Sequence, residues 1–340
     1  MSVKKIGVIC VAVAVLAIAS VYLLRAGRVK SHEPMKIGVF IYRGDDTFIT
    51  NMMNSLRDAV AEFEQENGVN LYFSYMDAQN SQTTQNMQID RCISLGYDVL
   101  CVNLVDRTSA AYIIDKAMEA DVPVIFFNRE PVQADMRKWD KLFYVGTDAA
   151  KNGVLEGQII VDAYRANPRS IDLNGDGIIQ YIMLEGEFEH QDAILRTEGS
   201  VQTLLDAGIK VEKLDGGVAN WVRTQAAALA RDYFGKYGSQ IELIICNNDD
   251  MALGVLDYVA DAGIDFHNVV GIDGTPQGLT AVEEGRMLGT VATDYPAQAR
   301  LIFQLAYAEL TGADPSESMD IGEDRCIRAP MYVVTAKNGD

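Results

Sequence analysis

Residues 36–76 read KIGVFIYRGDDTFITNMMNSLRDAVAEFEQENGVNLYFSYM, and the succession of patterns in this stretch decides the fold. Residues 36–42 form a near-continuous apolar run, as in a strand covered on both faces. Over 47–64 the period changes, and Phe48, Met52, Leu56, Val60 and Phe63 recur at helical spacing. Residues 71–76 return to a strand. The alternation continues outward, with strands over 99–102, 122–127 and 141–145 and helices over 81–95 and 109–120. A second series has strands over 178–184, 210–214, 241–246, 269–272 and 288–292. Its helices fall over 192–207, 221–237, 249–262, 276–284 and 296–310. Alternating strands and helices imply parallel sheets with right-handed crossovers. Two such series in 340 residues predict two Rossmann-like, doubly wound α/β domains.

Composition narrows the function. The formal net charge of −19 repels nucleic acid and anionic lipid. The five cysteines, Cys10, Cys92, Cys101, Cys246 and Cys326, show no CxxC spacing, which speaks against a metal or redox site. At the start, Lys4 and Lys5 precede a charge-free apolar run over 6–24, and Arg25, Arg28 and Lys30 follow. Residues 1–34 thus read as an export signal or an N-terminal membrane anchor. The run continues past the small residues of Ala17-Ile18-Ala19, which favours an uncleaved anchor. Either way the body of the chain is expected outside the cytoplasm.

In doubly wound sheets, ligands bind beyond the carboxyl ends of the strands. Those ends carry Asp45-Asp46, Asp77, Asn103, Asn128, His190, Asn247-Asn248-Asp249, Asp273 and Thr293-Asp294. No GxGxxG opens a helix and no P-loop is present, so a nucleotide phosphate is not expected. Short carboxylates and amides aimed into a cleft suit a neutral ligand rich in hydroxyls.

The most specific local motif is DLNGDGIIQ over 172–180. Side-chain oxygens recur at Asp172, Asn174, Asp176 and Gln180, and Gly177 stands where an EF-hand loop turns sharply. Ile178 would offer its carbonyl. The glutamate an EF-hand places at its twelfth position is replaced by Met183, and a strand follows where a helix is due. The missing carboxylate must come from elsewhere, and Glu242, at the head of a strand run, is a candidate.

Together these segments resemble the periplasmic galactose/glucose-binding proteins of sugar ABC transporters. The resemblance also rests on Val102-Asn103-Leu104-Val105-Asp106, Phe126-Phe127-Asn128-Arg129-Glu130-Pro131, Tyr144-Val145-Gly146-Thr147-Asp148 and Gly271-Ile272-Asp273. It covers nearly all of the chain after the N-terminal segment. It implies a periplasmic binding protein type I fold, with a three-segment hinge near Val122 and Pro123, near Thr293 and Pro296, and near Arg328 and Pro330. The lobes would be 35–122 plus 294–328, and 123–293 plus 329–340.

The resemblance also implies a monosaccharide site for D-glucose or D-galactose. Phe48 and Trp221 would sandwich the ring. Asp46, Asn103, His190, Asp192, Arg196, Asn248 and Asp273 would bond its hydroxyls, and Thr293 stands where the family has an asparagine. It implies a structural Ca2+ on Asp172, Asn174, Asp176, Ile178, Gln180 and Glu242. The partner would be an ABC transporter permease or, alternatively, a chemoreceptor or sensor kinase, and the protein would be a monomer.

Asp46 with Asp192 or Asp273 could serve a glycoside hydrolase, but the many neutral amides favour binding without catalysis. A sugar-responsive repressor would need a DNA-binding segment where this chain has an apolar run.

Overall fold

The computed structural model describes residues 35–336, so the expected signal or anchor lies outside the described residues. The first lobe runs β1 (Met35–Ile41), α1 (Thr47–Asn67), β2 (Leu71–Asp77), α2 (Gln82–Ser94), β3 (Val99–Val102), α3 (Ala110–Ala120), β4 (Val124–Phe127), α4 (Gln133–Met136) and β5 (Leu142–Gly146). The second runs α5 (Ala149–Ala166), β6 (Ile179–Glu185), α6 (Gln191–Asp206), β7 (Val211–Val218), α7 (Arg223–Tyr237), β8 (Leu243–Cys246), α8 (Asp249–Asp261), β9 (Val269–Asp273), α9 (Pro276–Glu283) and β10 (Gly289–Thr293). The chain then returns through α10 (Tyr295–Thr311) and β11 (Cys326–Arg328) to the first lobe and ends on β12 (Met331–Thr335) in the second.

Each lobe holds a six-stranded sheet, ordered β11-β5-β4-β3-β1-β2 and β12-β10-β9-β8-β6-β7. All pairings are parallel except β10 with β12. Central strands such as VLCV of β3 and VIFF of β4 are buried at every residue, as expected where helices cover both faces. The two doubly wound α/β domains predicted from the alternation are therefore present.

The first lobe boundary differs from the expectation. A crossing near Val122 and Pro123 would put β4 and β5 in the second lobe. Instead Leu100 pairs with Val124 and Val124 with Leu142, so both strands extend the first sheet. The chain crosses after Gly146, at Thr147 and Asp148, and the first lobe is 35–146 rather than 35–122. The run at β4 is too apolar to sit at an edge, and β3 and β5 cover its two sides. The other two crossings fall at Asp294 and at Ala329-Pro330, where Asp294 N donates to Pro330 O at 3.2 Å.

A second departure is α5, which the pattern over 149–166 did not suggest. Gly153 and Gly157 read as helix breakers, yet here they are packing devices. A Cβ on Gly153 would come within 2.4 Å of Arg196 O, and one on Gly157 within 2.6 Å of Ser200 O. The missing side chains let α5 lie directly on the backbone of α6.

Two glycine substitutions are accordingly expected to act in opposite senses. Gly153→Ala forces α5 off α6 and should destabilise by about 1–3 kcal/mol. Gly235→Ala, on α7 with nothing within 4 Å of its Cβ, should stabilise by about 0.5–1 kcal/mol. Urea unfolding midpoints of the two variants check the signs.

Candidate functional site

The carboxyl ends of the two sheets face one another across a cleft. Tyr42, Asp46, Phe48, Ile49, Asn128 and Arg129 line it from the first lobe. His190, Asp192, Arg196, Trp221, Asn248 and Asp273 line it from the second. The empty space among them, including what is open to solvent, is about 370 Å3. The lobes meet over it: Thr47 Oγ1 donates to Asp250 Oδ2 at 2.6 Å, and Arg129 reaches Glu187 at 2.9 Å.

Three cleft residues sit at helix starts. Asp46 caps α1 by accepting from Ile49 N at 2.9 Å, His190 caps α6 by accepting from Asp192 N at 3.1 Å, and Asn248 caps α8 by accepting from Met251 N at 3.0 Å. Each cap fixes a rotamer and aims a helix amino terminus at the cleft. It also decides what the group offers a ligand. Asn248 spends its carbonyl oxygen on the helix, which leaves its amide as a donor. His190 spends Nδ1 as an acceptor, so the neutral ring carries its proton on Nε2. Asp46 additionally accepts a short bond from the Tyr42 hydroxyl.

Arg196 is the cation of the second lobe's half. It is 6% exposed, donates to Asn247 O at 2.8 Å, and lies 3.6 Å from both Asp192 and Asp273. Burial pushes the Asp273 carboxyl well above the usual carboxylate range, with Arg196 pulling against it. The guanidinium stands 5.7 Å from the Trp221 ring centre, and His190 meets that ring edge-on at 5.2 Å. Gly186 leaves room for the indole, since a Cβ there would come within 2.1 Å of ring carbons.

In the first lobe, Arg129 is clamped. It stacks on Tyr42 at 3.7 Å and donates to Val105 O at 2.7 Å. Phe48 meets Tyr295 edge-on at 6.1 Å. Three cleft residues, one from the first lobe and two from the second, hold positive φ: Asn128, Trp221 and Asp273, at 60°, 64° and 128°. Such conformations cost non-glycine residues about 1–3 kcal/mol each and persist where surrounding structure imposes them.

Of the expected site residues, Asp46, Phe48, His190, Asp192, Arg196, Trp221, Asn248 and Asp273 come together in the cleft. Asn103 and Thr293 stand behind it. Asn103 is fully buried, accepting from Tyr42 N at 3.2 Å and donating to Asn128 Oδ1 at 3.0 Å. It braces Asn128. Thr293 donates to Asp273 O at 3.3 Å and so supports the residue that lines the cleft. Trp221 precedes α7, which begins at Arg223. Tyr42, Ile49, Asn128 and Arg129 were not expected as site residues. Asn128 carried the same signal as the others, an amide just past a strand. The role of Arg129 depends on contacts distant in sequence.

The loop over 172–180 closes on Glu242 as anticipated. Glu242 is fully buried and accepts from Asn174 N at 2.8 Å and Gln180 N at 3.0 Å. Asp172 accepts from Gly175 N and Gly177 N, and Gln180 bonds both Asn174 and Asp176. Gly175 and Gly177 take φ of 74° and 83°, which glycine adopts freely. Among the described residues no three His, Cys, Asp or Glu side chains stand together as a metal cage. The donor set here is instead mixed, with three carboxylates, two amide oxygens and a backbone carbonyl. All are hard oxygen ligands of the kind calcium takes.

Burial lowers the His190 pKa from 6.5 to about 4, with Asp192 opposing. The folded ring refuses a proton that the unfolded chain accepts, so its contribution is present above pH 6.5 and is lost as pH falls toward 4. His190→Asn, which keeps the cap, is expected to flatten the fall in stability over that window. Denaturant midpoints against pH for both proteins check it, and parallel curves would contradict it.

Comparison with known proteins supplies the family. The model of the periplasmic binding protein domain matches residues 37–314. The D-galactose/methyl-galactoside binding periplasmic protein MglB of Haemophilus influenzae is 35% identical over 309 residues, covering 89% of this chain and 90% of that protein. The xylitol-binding protein of Mycolicibacterium smegmatis is 28% identical over 309 residues, covering 91% and 78%. An ABC transporter solute binding protein from Bacillus halodurans, solved with bound myo-inositol, is 28% identical with a TM-score of 0.72, covering 91% of this chain and 97% of that one. These are substrate-binding proteins and not enzymes, which removes the hydrolase reading. Among the described residues no helix is long and apolar enough to cross a membrane. The chain belongs to the periplasmic binding protein family, with its type I fold, and is an extracytoplasmic sugar-binding component of an ABC transporter system.

Proposed function

We propose that the cleft takes a hexose in its pyranose form, D-galactose or D-glucose, and delivers it to the transporter's permease. The carrying observation is the placement of Phe48 and Trp221, one from each lobe, on a single cleft rimmed by Asp46, His190, Asp192, Arg196, Asn248 and Asp273. A pyranose has weakly apolar faces and a polar edge. Aromatic rings cover such faces with little loss of side-chain freedom, and charged partners make strong directional bonds to hydroxyls. A buried group left unpaired costs about 1–3 kcal/mol, so the rim selects against sugars lacking a matching hydroxyl. The relative from Haemophilus influenzae, named for D-galactose, supports the hexose. Binding would proceed by closure. The Thr47–Asp250 and Arg129–Glu187 contacts join the lobes and would be lost on opening of the hinge.

A cyclic polyol is the second reading, favoured by the bound myo-inositol of the Bacillus halodurans relative. Fluorescence separates the two, because the chain has two tryptophans, Trp139 and Trp221. Titration of the full chain with D-galactose, D-glucose, myo-inositol, xylitol and ribose is expected to give a saturable change with a hexose. That change should disappear in Trp221→Phe. A response to myo-inositol alone would favour the polyol, and a response unaffected by Trp221→Phe would place the ligand elsewhere.

We further propose that the 172–180 loop with Glu242 holds a structural calcium ion. When bound, the ion would supply positive charge to a buried carboxylate group and tie β6 and β8 to the loop. Ligands of the folded state alone stabilise it by about 2.7 kcal/mol at a hundredfold excess over Kd. Chelation should therefore lower Tm by several degrees while leaving hexose affinity within about twofold, the loop being remote from the cleft. Equal melting curves with and without chelator would contradict the site.

A further inference from the structure

The chain turns sharply where β4 ends at the cleft. Arg129 N donates to Phe127 O at 2.8 Å. That bond closes a three-residue turn centred on Asn128, whose φ is 60°. Turns of this size are common with a negative φ at the centre, and the positive form is rare and strained. Asparagine tolerates positive φ better than most residues, but so tight a turn persists only where its surroundings impose it. Its effect is to aim two side chains. Asn128 and Arg129 both line the cleft, and Arg129 also bonds Glu187 of the second lobe. Had the strand simply continued, successive side chains would point to opposite faces, and the two would not share the cleft.

Three bonds hold the central residue. Asn128 N donates to Val145 O at 3.0 Å, and Asn103 Nδ2 donates to Asn128 Oδ1 at 3.0 Å. The third comes from Tyr144 on β5, whose hydroxyl donates to Asn128 O at 2.8 Å.

We propose that Tyr144 is a positioning residue of the sugar site: its hydroxyl holds the strained turn, and so aims Asn128 at the ligand and Arg129 at the opposite lobe.

The surroundings of Tyr144 are built to keep that hydroxyl in place. The residue is 2% exposed. The Arg328 guanidinium lies over its ring, 5.0 Å from the centre, and Glu130 holds that guanidinium by two bonds of 2.8 Å. Glu130 lies just past the turn, and its own carbonyl accepts from Arg107 Nε at 2.9 Å, so the exit of the turn is pinned as well. Gly146 leaves the hydroxyl its space, since a Cβ there would come within 2.0 Å of the phenol oxygen. Burial pushes the phenol well above its usual pKa, so it keeps its proton and remains a donor. For its ligand this role rests on the hexose reading, and for its mechanism on the turn alone.

Two substitutions test it in the full chain. Tyr144→Phe removes only the hydroxyl. Asn128→Gly places at the centre of the turn the residue that adopts positive φ freely. With D-galactose and D-glucose as probes, Tyr144→Phe should weaken binding about fivefold when Asn128 is present. In the Asn128→Gly background the same change should shift affinity by less than about twofold, because the turn no longer needs the hydroxyl. Equal losses in both backgrounds would overturn the proposal, since a hydroxyl serving only the stability of the fold would act alike with either residue at 128. A second arm needs no ligand. Amide hydrogen exchange, read residue by residue by NMR, should speed up about fivefold in Tyr144→Phe at Asn128 and Arg129 and stay unchanged along β4 and β5. Unchanged exchange at those two amides would overturn the proposal, as would a uniform rise along both strands. Silence from both hexoses with the local exchange difference intact would count against the hexose reading and leave Tyr144 in its role.

Discussion

Arg196 is a buried cation whose charge is divided between Asp192 and Asp273, each at 3.6 Å, and whose NH1 is held by Asn247 O. Much of the second lobe is arranged to keep it there. The helix that carries it begins at the His190 cap, where the strand β6 turns toward the cleft. Gly153 and Gly157 let α5 rest on its backbone. Asp249 is fully buried one layer deeper, accepting from Thr275 N and from the hydroxyls of Thr275 and Thr290. A buried charge persists only when paired and hydrogen-bonded. The polar network behind the cleft is therefore a condition of having an arginine in it. Removing any one anion would leave the guanidinium under-compensated, and removing the arginine would leave several acids competing for protons.

The first lobe solves a matching problem differently. Its cation, Arg129, is held by the face of Tyr42 and by Val105 O, and it spends its remaining valence across the cleft on Glu187. On the proposed function, Arg196 would face the ligand from the second lobe while Arg129 would link the two lobes. The aromatic rings follow the same division, Phe48 from α1 and Trp221 from the turn before α7. Neither lobe alone completes the site, so ligand contact and lobe contact are made together. This is what lets a binding event be read by a partner as a change of shape.

Much of this arrangement was legible in the residues. Runs such as 36–42 declared buried strands, and Asp46, Asn248 and Asp273 declared themselves by falling just past strand ends. The loop over 172–180 has Met183 where a glutamate was due, which made Glu242, at the head of a strand run, a candidate, and the two meet. What escaped was non-local. Strands β4 and β5 look the same in either sheet, and only their register with β3 assigns them to the first lobe. The helix α5 was hidden because its glycines answer to the backbone of α6 and not to local preference. Asn103 and Thr293 occupy the right strand ends but are turned inward to brace Asn128 and Asp273. A one-residue difference in side-chain aim separates a lining group from its support, and strand position alone does not distinguish them.

On the proposed function, one sugar molecule is gripped by both lobes at once. Small-angle scattering of the full chain, without ligand and at saturating D-galactose, tests it most directly. Closure over the sugar predicts a smaller radius of gyration on saturation. It also predicts that Glu187→Ala, which removes the partner of Arg129, reaches the compact state only at higher sugar concentration. A protein that binds the sugar at full occupancy with no change in its scattering curve would rule this out, because the ligand would then be held by a single lobe.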